Sequence, residues 1–183
     1  PSRKLGQNFL VDGNIAAWIA AQLRLEEGDT VVEVGPGTGA LTETYFDQVK
    51  RVILVEFDSR LADYLRQRFD GVEHVTVHHA DAARWDTRQL FPFGPVKFLG
   101  NLPYSAGGAI MRNFLKKPSP ISCAVLMLQK EFIDRILAKE RSKDYGVLTL
   151  RVQSEWIPSA LKTVPPEAFH PRPAIDSTVM RLE

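Results

Sequence analysis

One cysteine, Cys123, is the only thiol in this chain of 183 residues. An intrachain disulfide is therefore excluded, and the composition fits a reducing compartment. Cys123 lies in an apolar run and is expected to be a buried small hydrophobe. No apolar stretch reaches the roughly 20 residues of a membrane-spanning helix, and the N-terminus lacks the apolar core of a signal peptide, so the expectation is a cytoplasmic protein. Charge of one sign is scarce as well. Against 23 Lys+Arg stand 22 Asp+Glu, a net of +1, which by itself does not point to a polyanion. The charge is unevenly spread, however. Residues 1–100 hold 11 basic and 14 acidic residues, and residues 101–183 hold 12 and 8. A polyanion would be met by a face built mainly from the second part together with Arg3-Lys4. Repeats and low-complexity tracts are absent, and the length and composition suit one soluble globular domain over 1–183.

What is present is an alternation of strand and helix patterns. Asp12 caps a helix over Asn14–Leu23, and Glu26-Glu27-Gly28-Asp29 is a turn. Strands are expected at Thr30–Val34, Arg51–Glu56, Val75–His79, Val96–Gly100 and Ile121–Leu128. Between them, helices are expected at Ala40–Val49, Ser59–Phe69 and Ala106–Leu115, with Leu61, Leu65 and Phe69 spaced by four along one face. A helix over Glu131–Lys139 follows, then a polar loop at Arg141–Gly146. Val147–Glu155 and Thr178–Leu182 read as two last strands around a proline-rich link. This order predicts an α/β fold, a doubly wound and mostly parallel sheet with an antiparallel strand at its edge.

Ligands of such sheets bind at the carboxyl ends of the strands, and four successive tips here carry suitable residues. Glu33-Val34-Gly35-Pro36-Gly37-Thr38-Gly39 follows the first strand, where glycines allow a tight turn and close approach of a ligand to the backbone. With Ala40 it also satisfies the looser dinucleotide pattern, so the glycines alone leave the ligand open. Glu56 ends the second strand, the place of an acid that accepts from ribose hydroxyls. Asp81 follows the third strand and can accept from an adenine amine. Asn101-Leu102-Pro103-Tyr104 follows the fourth. An amide beside a flat ring suits a planar, hydrogen-bonding substrate such as a nucleobase; taken alone, the tetrapeptide reads equally well as a strand–turn–helix junction. His78-His79 has no cysteine nearby and His170 is followed by proline, so no metal site is expected.

Glu33 before the glycines, their spacing, and Asn101-Leu102-Pro103-Tyr104 together resemble the class I (Rossmann-like) methyltransferases that modify an exocyclic base amine. The match then narrows. Lys4-Leu5-Gly6-Gln7-Asn8-Phe9-Leu10, Leu126-Met127-Leu128-Gln129-Lys130-Glu131, Ser142-Lys143-Asp144-Tyr145-Gly146, and Val164 to Pro173 with Asp176-Ser177 resemble, in the same order, the ribosomal RNA adenine dimethyltransferases of the KsgA type. The resemblance implies S-adenosylmethionine as cofactor and N6,N6-dimethylation of adenosines in small-subunit (16S) ribosomal RNA during ribosome biogenesis. The implied partner is ribosomal RNA in a small-subunit precursor, met by a monomer that needs no membrane and no metal. By the same resemblance, Gln7, Asn8 and Leu10 touch the cofactor from the N-terminal segment, with Gly35 and Gly37 beside its methionine part. Glu56 holds its ribose and Asp81 its adenine, with Ala82 nearby. Asn101 lies between cofactor and target, and Tyr104 and Phe169 flank the target base. The Asn101 side-chain oxygen and the Leu102 carbonyl would accept the two N–H bonds of the target amine, with Pro103 fixing the turn. No general base is needed.

Three departures from the family pattern are visible. Ala174 stands where many members carry lysine, which removes a possible phosphate contact. Ser105-Ala106-Gly107-Gly108 is glycine-rich for a helix start and is expected to loosen the loop that holds Tyr104. Members of the family also continue past the equivalent of Glu183 into a small helical domain, so 1–183 is expected to be the catalytic domain alone. Other readings remain: an Erm-type enzyme acting on large-subunit RNA, a non-catalytic RNA-binding assembly factor of the same fold, and, more remotely, a dinucleotide oxidoreductase.

Overall fold

The computed structural model describes residues 8–183. In chain order the elements are β1 (Phe9–Leu10), α1 (Gly13–Ala21), β2 (Thr30–Val34), β3 (Arg51–Glu56), α2 (Ser59–Arg68), β4 (Val75–His79), β5 (Val96–Asn101), α3 (Gly107–Leu115), β6 (Ile121–Gln129), α4 (Lys130–Ile136), α5 (Val147–Gln153), β7 (Pro158–Val164), β8 (Phe169–His170) and β9 (Ser177–Leu182). Seven strands form one sheet in the order β4-β3-β2-β5-β6-β9-β7, and β1 and β8 form a separate two-stranded ribbon. Strands β2 to β6 pair in parallel. Only β9 is reversed in this sheet, antiparallel to both neighbours. The expected antiparallel strand thus lies one place in from the edge, with β7 outside it.

Local chemistry explains most of these elements. Asp12 accepts from the N–H groups of Asn14 and Ile15 and starts α1, satisfying donors that the first helical turn leaves unpaired. All five residues of β2 are buried, as a central parallel strand covered on both faces requires. One apolar layer joins Val32, Ile53 and Phe98 to α3, α4 and α5 through Phe114, Ile133 and Val152. The opposite layer joins Val31, Leu54, Leu99 and Met127 to α1 and α2 through Ile19 and Leu65.

Several elements differ from the sequence expectation. Ala40–Val49 is not an α-helix; it holds two short 3-10 turns, Thr42–Thr44 and Phe46–Gln48. The cause is Glu33, which is fully buried. One of its carboxyl oxygens accepts from both the Thr42 hydroxyl at 2.8 Å and the Tyr45 hydroxyl at 2.7 Å. A turn with three residues per repeat puts positions 42 and 45 on one side, within reach of the same oxygen. Val147–Glu155 is helical rather than extended. Leu148, Thr149, Val152 and Trp156 face inward, a 3.6-residue period hidden by an accidental alternation in the sequence. Thr149 accepts from the Gly146 N–H and donates to the Arg135 carbonyl, tying α5 to α4. Three strands have no counterpart in the sequence expectation, the two-residue β1 and β8 and the edge strand β7; β7 buries only Val164 fully, so it carries almost no apolar pattern, and its Pro158 is tolerated at the start of an edge strand. The α4 helix stops at Ile136, short of Lys139. Cys123 is half-buried rather than enclosed.

Candidate active site

The centre of the site is the point where strand order reverses. β2 lies between β3 and β5, so chain leaving β2 turns one way and chain arriving at β5 comes from the other, opening a crevice above their carboxyl ends. A cleft of about 440 Å³ lies there, within the usual range for a small-molecule site.

Gly35, Gly37 and Gly39 all have positive φ, at 68°, 60° and 88°, a region that L side chains seldom adopt. Space is limiting as well. A Cβ on Gly35 would lie 3.3 Å from the Asn101 carbonyl oxygen, and one on Gly37 would lie 3.0 Å from the Phe9 ring. The Gly37 N–H donates to a carboxyl oxygen of Glu56 at 3.0 Å, and the other oxygen accepts from the Asp58 N–H at 2.9 Å. Glu56 is 4% exposed. Burial pushes its pKa up, opposed by those backbone donors. Glu33 is not a lining residue: its carboxyl points away, into the layer beneath the glycine turn. Burial pushes that carboxyl up to about 7, opposed by Tyr45 and Thr42.

Asp81 accepts from the Ala83 N–H at 2.9 Å in a tight turn, and buried Ala82 follows it into the cleft wall. At the fourth tip, the Asn101 amide nitrogen donates to the Asn8 carbonyl at 3.3 Å. That bond holds the amide through one of its two N–H groups, and the side-chain oxygen is the group able to accept a donor from a ligand. The Leu102 N–H donates to the Met127 carbonyl at 3.1 Å, and the Pro103 carbonyl accepts from Ala106 and Gly107. Tyr104 lines the cleft and shares a hydrogen bond of 3.0 Å with the Ser177 hydroxyl. Beyond it, Gly107 has a packing role. A Cβ on Gly107 would collide with the Leu128 side chain, so glycine is what lets α3 sit tightly on β6.

The ribbon of β1 and β8 closes one side, with Leu10 opposite Phe169 and Phe9 opposite His170. Asn8, Leu10 and Phe169 all line the cleft. Every residue expected at the site is therefore in one cleft except Gln7, which lies outside the described residues, as do Arg3-Lys4 and the first four residues of the N-terminal motif. The sequence reading missed Phe9, whose ring rests on Gly37, and Phe57, a cleft residue that is 56% exposed. Phe57 follows the strand-tip acid directly; an aromatic ring at that place is the signal that was available. Charge is distinctive too. Among the described residues, Glu56 and Asp81 are the only carboxylates lining the cleft, and no Lys or Arg lines it. The glycine turn leads into 3-10 turns, not into an α-helix whose N-terminus would hold a diphosphate. The cleft suits a cationic nucleoside better than a dinucleotide. Among the described residues no cluster of His, Cys, Asp and Glu has the form of a metal site, and no helix is long and apolar enough to cross a membrane.

Residues 2–183 match the family model of ribosomal RNA adenine dimethylase. The chain belongs to the ribosomal RNA adenine dimethylase family. This adenine dimethylase-family chain is 39% identical over 186 residues to the ribosomal RNA small subunit methyltransferase A of Alkaliphilus oremlandii (strain OhILAs), covering 100% of its own length and 65% of the relative's. It thus spans just under two thirds of that curated relative. Among solved structures it is similar to a dimethyladenosine transferase from Plasmodium falciparum, with a TM-score of 0.84 and 30% identity over 95% of this chain and 62% of the other. It is also similar to the 23S rRNA methyltransferase ErmE, with a TM-score of 0.81 and 32% identity over 96% of this chain and 69% of the other. The fold is that of the class I methyltransferases.

Proposed function

We propose that this chain carries the catalytic domain of an S-adenosylmethionine-dependent enzyme that dimethylates the N6 amine of adenosines in small-subunit ribosomal RNA, with a precursor of that subunit as partner. The observation that carries the reading is the fourth strand tip. The Asn101 amide, which lines the cleft beside Tyr104 and the glycine turn, is held by one N–H on the Asn8 carbonyl and carries an oxygen able to accept from a substrate amine. Family membership and the name of the Alkaliphilus relative support the choice of RNA.

S-adenosylmethionine, when bound, supplies an electrophilic methyl group on a positively charged sulfur. The residues present fit it: a glycine turn with no room for side chains, the buried Glu56 carboxylate for the ribose hydroxyls, and Asp81 for the adenine amine. Phe57 offers a flat exposed surface beside them. The rest of the work is positioning and charge stabilisation. Adenine's amino nitrogen is a weak nucleophile because its lone pair is delocalised into the ring. The Asn101 oxygen and the Leu102 carbonyl accept its two N–H bonds, draw the lone pair out of conjugation and stabilise the positive charge that develops. Tyr104 stacks on the flipped-out base, a contact worth about 1–3 kcal/mol, and Phe169 covers the other side. The proton leaves after transfer, when the amine is strongly acidic, so no side chain has to act as base.

Asn101→Ala tests this. S-adenosylmethionine binding, measured by calorimetry, should change little, while methyl transfer to RNA is lost. Transfer that survives within a few-fold rules out the assigned role. The similarity to ErmE favours one second reading, methylation of large-subunit RNA by the same chemistry.

A further inference from the structure

We infer that Ser177 is a positioning residue for methyl transfer, acting through Tyr104. The inference rests on the proposal that Tyr104 stacks on the target base. Tyr104 stands on the turn between β5 and α3, outside the sheet, with its ring along the cleft. A turn by itself holds a ring loosely. Here the far end of the ring is tied: its hydroxyl lies 3.0 Å from the Ser177 hydroxyl, either of which can be the donor.

Ser177 is a firm support. It is 1% exposed and opens β9, the one strand flanked on both sides by antiparallel partners. Its register neighbours are Gln129 of β6 and Val164 of β7. The preceding Asp176 carbonyl accepts from the Lys130 N–H at 3.1 Å, so the chain is held immediately before it as well. The near end of the turn is pinned to the same region, by the Leu102 N–H on the Met127 carbonyl and by the contact of Gly107 with Leu128. The backbone on one side of Tyr104, the helix on the other and the hydroxyl at its tip are all fixed to the end of β6 and the start of β9. A tyrosine ring has only two side-chain torsions, and its hydroxyl lies on the axis of the second, so tying that oxygen fixes the direction in which the ring projects from the turn. Stacking on a flat base depends on where the ring stands in the cleft, and the Asn101 and Leu102 acceptors lie beside it. The arrangement gives β9 a role in the reaction although none of its residues lines the cleft.

The test is a double-mutant cycle with Ser177→Ala and Tyr104→Phe, each of which removes the hydrogen bond, and Tyr104→Ala, which removes the ring. Turnover on RNA and the Kd of S-adenosylmethionine are measured for each variant. Each of the two single variants should lower kcat/KM for RNA about three- to ten-fold, the range of one neutral hydrogen bond. The double variant should be no worse than the poorer single, because both remove one interaction, and cofactor affinity should stay at the wild-type value. Losses that multiply in the double variant, or an equal loss in cofactor affinity, overturn the inference. Wild-type turnover of Tyr104→Phe overturns it too, and this variant leaves the buried strand untouched should Ser177→Ala fail to fold. If Tyr104→Phe is unaffected while Tyr104→Ala is inactive, stacking stands and only the role of Ser177 falls. If Tyr104→Ala turns over normally, the stacking reading itself fails.

Discussion

Glu33 makes the stability of this fold depend on pH in a direction opposite to that of most carboxylates. It is fully buried, one of its oxygens has no hydrogen-bond partner among the described residues, and its pKa is pushed from the ordinary 4.5 up to about 7. Between those two values the folded chain holds a proton on Glu33 that the unfolded chain has released. Where the native state binds more protons, stability falls as pH rises. At about 1.4 kcal/mol per pH unit, the carboxyl contributes about 3 kcal/mol of stability below pH 4.5, and this is lost by the time the pH has passed 7. Glu33→Gln cannot titrate but keeps a carbonyl oxygen for Thr42 and Tyr45. Urea unfolding of both proteins from pH 4.5 to 8, followed by fluorescence of the three tryptophans, isolates the effect. The stability of the variant relative to wild type should rise by about 3 kcal/mol across that window. A difference that stays constant with pH would refute the reasoning, since it would mean that Glu33 titrates alike in both states. Tyr45→Phe removes a donor to the charged form and should move the window to higher pH.

Gly107→Ala drives a methyl group into Leu128 and should cost about 1–3 kcal/mol in urea unfolding, as overpacking does. Trp156→Phe leaves the Leu115 carbonyl without its donor, at 3.0 Å in a buried setting, and should cost about 1–3 kcal/mol in the same assay. Glu56→Ala removes a charged acceptor and the support of the Gly37 N–H, so the Kd of S-adenosylmethionine in calorimetry should rise about tenfold or more.

The parallel strands and their loaded tips were legible because a buried parallel strand is a run of apolar residues that stops where a polar residue must meet the ligand. Gly35, Glu56, Asp81 and Asn101 each stand at such a stop. What was not legible depended on contacts distant in sequence. The 3-10 turns after the glycines follow from Glu33, whose partners Thr42 and Tyr45 look like ordinary helix residues. The α5 helix follows from which of Val147 to Trp156 meets α4, and an alternating apolar pattern pointed the other way. Strand β7 carries little pattern because it is largely exposed. The packing of Gly107 on Leu128 joins residues far apart in sequence, and the tie between Tyr104 and Ser177 spans 73 residues.

The central claim is the chemistry and the RNA on which it acts, and labelled methyl transfer tests both together. Purified small and large ribosomal subunits lacking the modification are incubated with the protein and labelled S-adenosylmethionine, and the modified base is mapped. The account predicts N6,N6-dimethyladenosine in small-subunit RNA. Label confined to large-subunit RNA would contradict the choice of substrate, and label on neither, from a protein shown to bind the cofactor, would contradict the enzyme.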